Sequence, residues 1–425
     1  MRFIGMDVHR DHCEVAIAEA GKVRSAGRVP TRPKVLEAFA RSLDPKDEVV
    51  LEATFGAVAI AAIIKPHVRR VVIVDPRRLK GMGPRKTDRR DAKVLAELLA
   101  AGYLEEVWAP DAATQVLRRL VSRRAALMRA RTRAKNEVHA ALARTLSPRP
   151  PMKDLFGKGG RLWLAEIALP ADEQLTVEGC LRQIDALEAE ISKLDLALAE
   201  RTLASPEMRR LMTVPGVSMQ TAVTFMAAVG DISRFPTPRK LVAYLGLDPR
   251  VRQSGESPAR HGRISKAGHS DARHMLGEAA WSVVQAPGPM KAFFERVRAR
   301  RGVQVAATAT ARKLCVLFWH LLTREEDYTF AQPSMTRKKI RELELATGAK
   351  PQRGRQHAGG PLRNPKVREA ERAVSAQAEL AYRRLVTDWR QQGGEKGAGA
   401  TPGRASIRPS TGQAARQDSA PDPAL

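Results

Sequence analysis

The chain has 425 residues, enough for two or three domains and a sizeable core, and its 43% hydrophobic content is that of an ordinary globular protein. Its charge is less ordinary: 73 Lys and Arg oppose 46 Asp and Glu, a net +27 that points to a polyanionic partner, nucleic acid above all. Three scattered cysteines, Cys13, Cys180 and Cys315, exclude a disulfide framework. No signal peptide is expected, and no apolar run reaches the ~18 residues of a membrane helix.

Residues 1–110 alternate strand and helix patterns. Phe3-Met6, Cys13-Ile17 and Lys22-Arg28 read as three strands of an antiparallel meander. A helix over Pro33–Leu43 follows, then a strand Glu48–Glu52, a helix Ala57–Ile64, a strand Arg70–Val74 and an amphipathic helix Lys93–Ala101. Three strands followed by helix-strand-helix-strand-helix is the element order of a ribonuclease H-like α/β fold. In that fold the first and fourth strands are neighbours. The segment Gly81-Met82-Gly83-Pro84-Arg85-Lys86-Thr87 lacks the glycine before lysine that a phosphate-binding loop needs.

Residues 111–204 read as two long helices, Gln115–Leu146 and about Leu175–Leu203, each with apolar residues at helical spacing and expected to form an antiparallel or an intermolecular coiled coil. The first carries Arg118, Arg119, Arg123, Arg124, Arg129, Arg131 and Arg133, a basic arm suited to nucleic acid; a solvated helix face is the plainer reading. Residues 205–328 read as a compact helical region. Within it Val214-Pro215-Gly216-Val217 opens a helix at Thr221–Val229, and amides exposed at such a turn can hold a phosphate. Residues 329–425 read as a basic, largely disordered tail interrupted by a helix near Lys366–Trp389.

Four acids stand out. Asp7 and Glu52 end apolar strands, and Asp88 and Asp91 lie three apart at a helix start, hence on one face. Gathered over the sheet end, four carboxylates can hold one or two Mg²⁺ (or Mn²⁺) ions against a phosphodiester. Without metal their mutual repulsion would drive at least one towards protonation. Taken alone, Asp88 and Asp91 read equally well as first-turn acids favoured by the helix dipole. Downstream, Ser254 precedes Gly255 among Arg250, Arg252, Arg260, Arg263 and Lys266, the cationic setting that a serine attacking phosphate needs, although Ser-Gly is also a common turn. His261, His269 and His274 lack cysteine or carboxylate partners at zinc spacing.

Gly5-Met6-Asp7-Val8-His9, Leu51-Glu52-Ala53-Thr54 and Lys86-Thr87-Asp88-Arg89-Arg90-Asp91-Ala92 resemble the N-terminal signatures of the DEDD-type insertion-sequence transposases, kin of the Piv-type DNA invertases. Val214-Pro215-Gly216-Val217, Tyr244-Leu245-Gly246-Leu247, Gln253-Ser254-Gly255 and Ile264-Ser265-Lys266-Ala267-Gly268 resemble their C-terminal transposase domain. The likeness covers about residues 1–325.

The resemblance implies a RuvC-like (Holliday-junction-resolvase-type) domain at 1–110, a coiled-coil insertion at 111–204 and a helical transposase domain with the serine at 205–328. It implies Asp7, Glu52, Asp88 and Asp91 as metal ligands, and Ser254 as a nucleophile forming a 5′-phosphoserine link to DNA. It further implies a homo-oligomer, dimer or tetramer, whose composite sites combine acids of one subunit with the serine of another. The expected partners are double-stranded DNA, both element ends and target, and a structured noncoding guide RNA. The expected place is the bacterial cytoplasm, at the nucleoid. Arg123, Arg124, Arg252, Arg263 and Lys266 are the expected nucleic-acid contacts. Two rivals remain: a junction-type nuclease using metal-activated water, and a non-catalytic nucleic-acid-binding protein.

Overall fold

Five strands form one sheet, four of them built on apolar runs. β1 (Phe3–Val8), β2 (His12–Glu19) and β3 (Lys22–Pro30) form the meander, then α1 (Pro33–Arg41), β4 (Glu48–Glu52), α2 (Ala57–Ile64) and β5 (Arg70–Val74) lead to α3 (Asp88–Ala100). The strand order is β3-β2-β1-β4-β5, with β1 parallel to β4 as the element order predicts. The computed structural model describes residues 1–54, 56–75, 87–255, 259–350 and 364–398, so Gly81 to Lys86 lie outside the described residues. The chain divides into two compact units, Met1–Asp111 and Ala112–Leu425.

The central strands are buried on both faces, so they read as near-continuous apolar runs. Alternation sorts their side chains. Ile4, Met6, Val49 and Leu51 pack with Leu36, Ala40, Ile60 and Ile64 of α1 and α2. Val50 packs on the other face against Leu95 and Leu99 of α3. A seam of small residues, Ala16, Ala18, Ala92 and Ala96, lets α3 settle on this second face. Gly5 completes the seam. A Cβ there would lie 2.1 Å from the Ala92 carbonyl oxygen and 2.6 Å from the Ala96 nitrogen.

The second unit is mostly helical. α4 (Ala112–Arg144), α5 (Lys158–Glu166) and α6 (Ala171–Ala204) come first. Ion pairs Arg124–Asp195, Arg131–Glu188 and Arg144–Glu173 step in opposite directions along α4 and α6, which makes the pair antiparallel. Next come α7 (Pro206–Leu211), α8 (Met219–Val229), α9 (Pro238–Tyr244), a hairpin of β6 (Pro249–Arg252) and β7 (Arg260–Ile264), α10 (Ser270–Val283), α11 (Pro289–Arg301) and α12 (Val303–Arg324). By length and composition α12 could cross a membrane. Its Leu314, Cys315 and Phe318 are instead fully buried in the core shared with α8, α9 and α10.

The stretch expected to be a tail holds two helices among its described residues. α13 (Pro333–Ala346) was not foreseen, because its pattern is short and strongly charged. α14 (Pro365–Ala398) contains the expected helix. It is seated through Tyr382 and Val386, which share a core with Phe293, Phe294 and Val297 of α11. Glu379 accepts the Gly288 N–H at 3.1 Å, and Glu371 accepts the Ser334 N–H at 3.0 Å. Disorder is therefore the wrong description of Pro333–Ala346, and the helix expected near Lys366–Trp389 extends on to Ala398; residues 399–425 lie outside the described residues. The three cysteines are buried and free.

Candidate active site

In the first unit the structure brings Asp7 and Asp88 together on the α3 face of the sheet, while Glu52 and Asp91 stand outside that grouping among the described residues. Asp7 lies two residues after Gly5 and so shares its face; β1 continues to Val8, one pair beyond the end expected from sequence. Glu52 likewise shares a face with Val50. The β1–β4 register pairs Met6 with Leu51, so Asp7 and Glu52 are the next positions on adjacent parallel strands, about 5 Å apart in backbone. Asp88 and Asp91 occupy the first turn of α3, the helix Gly5 brings down onto β1.

The geometry adds a residue that the sequence reading quoted but did not assign. His9 Nε2 lies 3.1 Å from Asp7 Oδ2 and 3.3 Å from Asp88 Oδ2. The ligating atoms of Asp7, His9 and Asp88 all fall within 4.8 Å of one another, the metal-compatible grouping found among the described residues. Asp7 is 7% exposed. Burial raises its carboxyl above the usual range; His9 opposes this, and the charges of Asp88 and Asp91 add to it. A carboxyl pushed upward by burial and by neighbouring acids is a site that a divalent cation relieves, so the donor set fits a divalent metal ion.

A second unforeseen acid supports this corner. Glu14 pairs with Asp7 across the β1–β2 ladder. It is 1% exposed and accepts from Arg28 Nε at 2.9 Å and from Arg89 Nε at 3.2 Å. Arg89 follows Asp88 directly, so Glu14 ties the first turn of α3 to the sheet. The available signal was an acid inside the run Cys13-Glu14-Val15-Ala16-Ile17, where a strand buried on both faces leaves no room for an unpaired charge.

The second unit holds the serine. Ser254 follows β6 on an exposed hairpin, next to Gly255 at φ +55°. Arg250, Arg252, Arg260, Arg263 and Lys266 are all exposed there. Arg252 and Arg260 are directly opposed across the hairpin, a like-charge pair that destabilises the ladder unless an anion lies between them. Ser265, another serine near the motif, differs in environment. It is half-buried, and its hydroxyl donates to Asp248 Oδ1 at 2.6 Å. Ser257 lies outside the described residues.

Two expected nucleic-acid features have other roles. Arg124 sits against Asp195, with 2.5 Å between Arg124 Nε and Asp195 Oδ1, and its side chain is 19% exposed. It closes the α4–α6 pair and is not free for phosphate. Arg123 is exposed, and Arg119 and Arg133 share its face within about 80° of helix arc. The Val214-Pro215-Gly216-Val217 turn packs inward: Val214 and Val217 are fully buried. Lys339 holds the turn by donating to the Met212 and Val214 carbonyls at 2.8 and 3.1 Å. Ser218 Oγ accepts the Thr221 N–H and so caps α8 from within the chain. His269 contacts the Tyr244 hydroxyl at 3.3 Å, a hydrogen bond unrelated to zinc.

Residues 4–147 match the family model of the DEDD transposases of the IS110 type. Residues 208–295 match that of the transposase IS116/IS110/IS902 family. The first stretch contains all four acids and the second contains Ser254. A Sinorhizobium fredii protein named as a transposase is 31% identical over 288 residues, which span 66% of this chain and 71% of the relative. The transposase for insertion sequence element IS1111A of Coxiella burnetii is 26% identical over 343 residues, spanning 77% and 91%. The pilin gene-inverting protein of Moraxella bovis is 32% identical over 90 residues, spanning 20% and 28%.

Proposed function

The chain belongs to the DEDD-type IS110 transposase family, and from that premise we propose that it moves its insertion sequence by joining a metal-dependent acidic site to a serine nucleophile. The coarse function, a transposase acting on DNA, is that of its relatives. The observation carrying the finer reading is the gathering of Asp7, His9 and Asp88 on the face of the sheet that Glu52 also shares. The β3-β2-β1-β4-β5 order with β1 parallel to β4 supports a ribonuclease H-like, RuvC-like domain.

Asp7, Glu52, Asp88 and Asp91 would hold the divalent ion, with His9 adjoining Asp7 and Asp88. When bound, that ion supplies Lewis-acid polarisation of the scissile phosphate. Ser254 Oγ attacks the phosphorus and gives up its proton. The serine O–P bond forms, the bond to the 3′ oxygen breaks, and that oxygen leaves with a proton. A second 3′ hydroxyl then attacks the phosphoserine, forming the new strand and restoring the serine. Arg252, Arg263 and Lys266 neutralise the phosphate charge at the hairpin, and the Arg252–Arg260 opposition supports an anion there. Arg119, Arg123 and Arg133 give α4 a basic ridge about 21 Å long for double-stranded DNA or a structured guide RNA. The reading includes a homo-oligomer with composite sites, working at the bacterial nucleoid.

The test is purified protein with Mg²⁺, the element's flanking RNA and labelled end-containing DNA, resolved on a denaturing protein gel. A DNA strand migrating with the protein, lost in Ser254→Ala and in Asp7→Ala, is the expected result. Cleavage without an adduct would replace the serine by water. Binding without cleavage, retained when the acids are removed, would leave a non-catalytic nucleic-acid binder.

A further inference from the structure

A nucleophile on an exposed hairpin needs something to aim it, and the base of this hairpin is unusually well tied. Just before β6, the Asp248 carboxylate accepts from Ser265 Oγ at 2.6 Å, and the Asp248 carbonyl accepts the Ser265 N–H at 2.7 Å. The Ser265 carbonyl accepts from Arg250 Nη2 at 3.1 Å, and the Lys266 N–H donates to the Gly246 carbonyl at 3.1 Å. Strand and return strand are thus clipped together by two hydrogen bonds from side chains and two backbone bonds.

The clip is fixed in turn to the helical core. One terminal nitrogen of Arg273, on α10, serves the carbonyls of Leu245 at 3.0 Å, Ala267 at 2.8 Å and Gly268 at 3.2 Å. Those oxygens belong to both arms. The arms also touch backbone to backbone: a Cβ at Gly246 would meet the Ala267 oxygen at 2.0 Å, and one at Gly268 the Tyr244 oxygen at 2.1 Å. Both glycines have positive φ, +70° and +75°. Tyr244, just before the clip, directs its hydroxyl to the Ala228 carbonyl at the end of α8.

We infer that Asp248, Ser265 and Arg273 are positioning residues that fix the direction in which the β6–β7 hairpin presents Ser254; this rests on the serine reading above. The hairpin is a lever. The two strands extend about 13 and 17 Å from the clip, so a tilt of about 10° at the base displaces the tip by roughly 2–3 Å. A misplacement of ~1 Å is enough to cost ~10²-fold in a positioned reaction. The inference also separates the two serines: Ser265 spends its proton on Asp248 at the base, and Ser254 stands exposed near the tip.

The test uses the full chain with Asp248→Asn, Ser265→Ala, Ser265→Thr, Arg273→Ala and Arg273→Lys. Backbone hydrogen exchange across residues 249–264 is read without DNA, and adduct formation and DNA affinity are read with it. Expected are exchange faster by ~10-fold or more in Ser265→Ala and Arg273→Ala, and adduct formation slowed by ~10–10²-fold at saturating DNA. DNA affinity should stay within about 2-fold, with Ser265→Thr and Arg273→Lys recovering much of the rate, which a general loss of fold would not allow. Unchanged exchange in both alanine variants overturns the inference. So does fast exchange with wild-type adduct rates, or an adduct mapped to the peptide of Ser265. An adduct that persists in Ser254→Ala defeats the serine reading instead, while exchange still reports on the anchor. If Arg273→Ala fails to fold, Asp248→Asn and the Ser265 pair carry the same comparison.

Discussion

Gly5→Ala is the smallest change that should disable the acidic site without touching an acid. The added methyl carbon would sit 2.1 Å from the Ala92 oxygen and 2.6 Å from the Ala96 nitrogen, both backbone atoms of α3 that no rotamer change can move. Restoring an ordinary contact requires α3 to retreat by roughly 1 Å, and such overpacking costs about 1–3 kcal/mol. In a domain the size of the first unit, at about 4–8 °C per kcal/mol, that corresponds to a fall in Tm of about 4–24 °C. The functional loss should be larger in proportion. Asp88 and Asp91 ride on α3 and Asp7 on β1, so the retreat separates the two halves of the donor set. A displacement of ~1 Å predicts ~10²-fold slower DNA cleavage in Mg²⁺. Melting curves and single-turnover cleavage on the purified variant check both figures. A Gly5→Ala protein with wild-type Tm and wild-type cleavage rate would refute the claim that this contact sets the acid geometry.

Three further outcomes are expected. Mg²⁺ or Mn²⁺ alone should raise the Tm of the wild type, by about 2.7 kcal/mol of added stability at a hundred times Kd, and Asp7→Asn should abolish the shift in a calorimeter. Replacing Arg119, Arg123 and Arg133 together by Ala should lower the slope of log affinity against log salt by about 2–3 for duplex DNA at unchanged Tm, whereas Arg124→Ala should lower Tm and leave the slope nearly alone; salt titrations of binding decide it. Burial pushes the Lys339 ammonium down to about 8 from 10.5. Its folded value lies below its unfolded one, so protonation favours unfolding: the cost is complete below pH 8 and fades as pH rises from 8 to 10.5. Lys339→Met should therefore remove an upward slope of stability over that window, worth at most about 3 kcal/mol, seen as the wild-type-minus-variant difference in denaturation curves at several pH values.

Periodicity carried much of the architecture because it records which face of an element is buried. Continuous apolar runs in Phe3-Ile4-Gly5-Met6 and Val49-Val50-Leu51 marked central strands, and 3–4 spacing in Gln115–Leu146 marked a long helix whose buried stripe includes Leu117, Val121 and Leu127. It could also set Asp7 and Glu52 at neighbouring strand ends, because register follows from the same apolar pattern. Charge pointed to a phosphate-bearing partner for the same reason: net charge needs no fold to be read.

What the sequence by itself determined, then, was the set of elements, their buried faces and the family motifs. The tertiary structure decided which polar groups meet. His9 reaches Asp88 across 79 positions, Glu14 holds Arg89, Arg124 is taken by Asp195, and Arg273 holds both arms of the serine hairpin. No local pattern encodes such pairs, because each depends on two distant segments arriving at a separation of about 3 Å. Gly5 belongs to both accounts: its place in the motif is visible in the chain, but only the backbone of α3 pressed against it explains why no side chain can stand there.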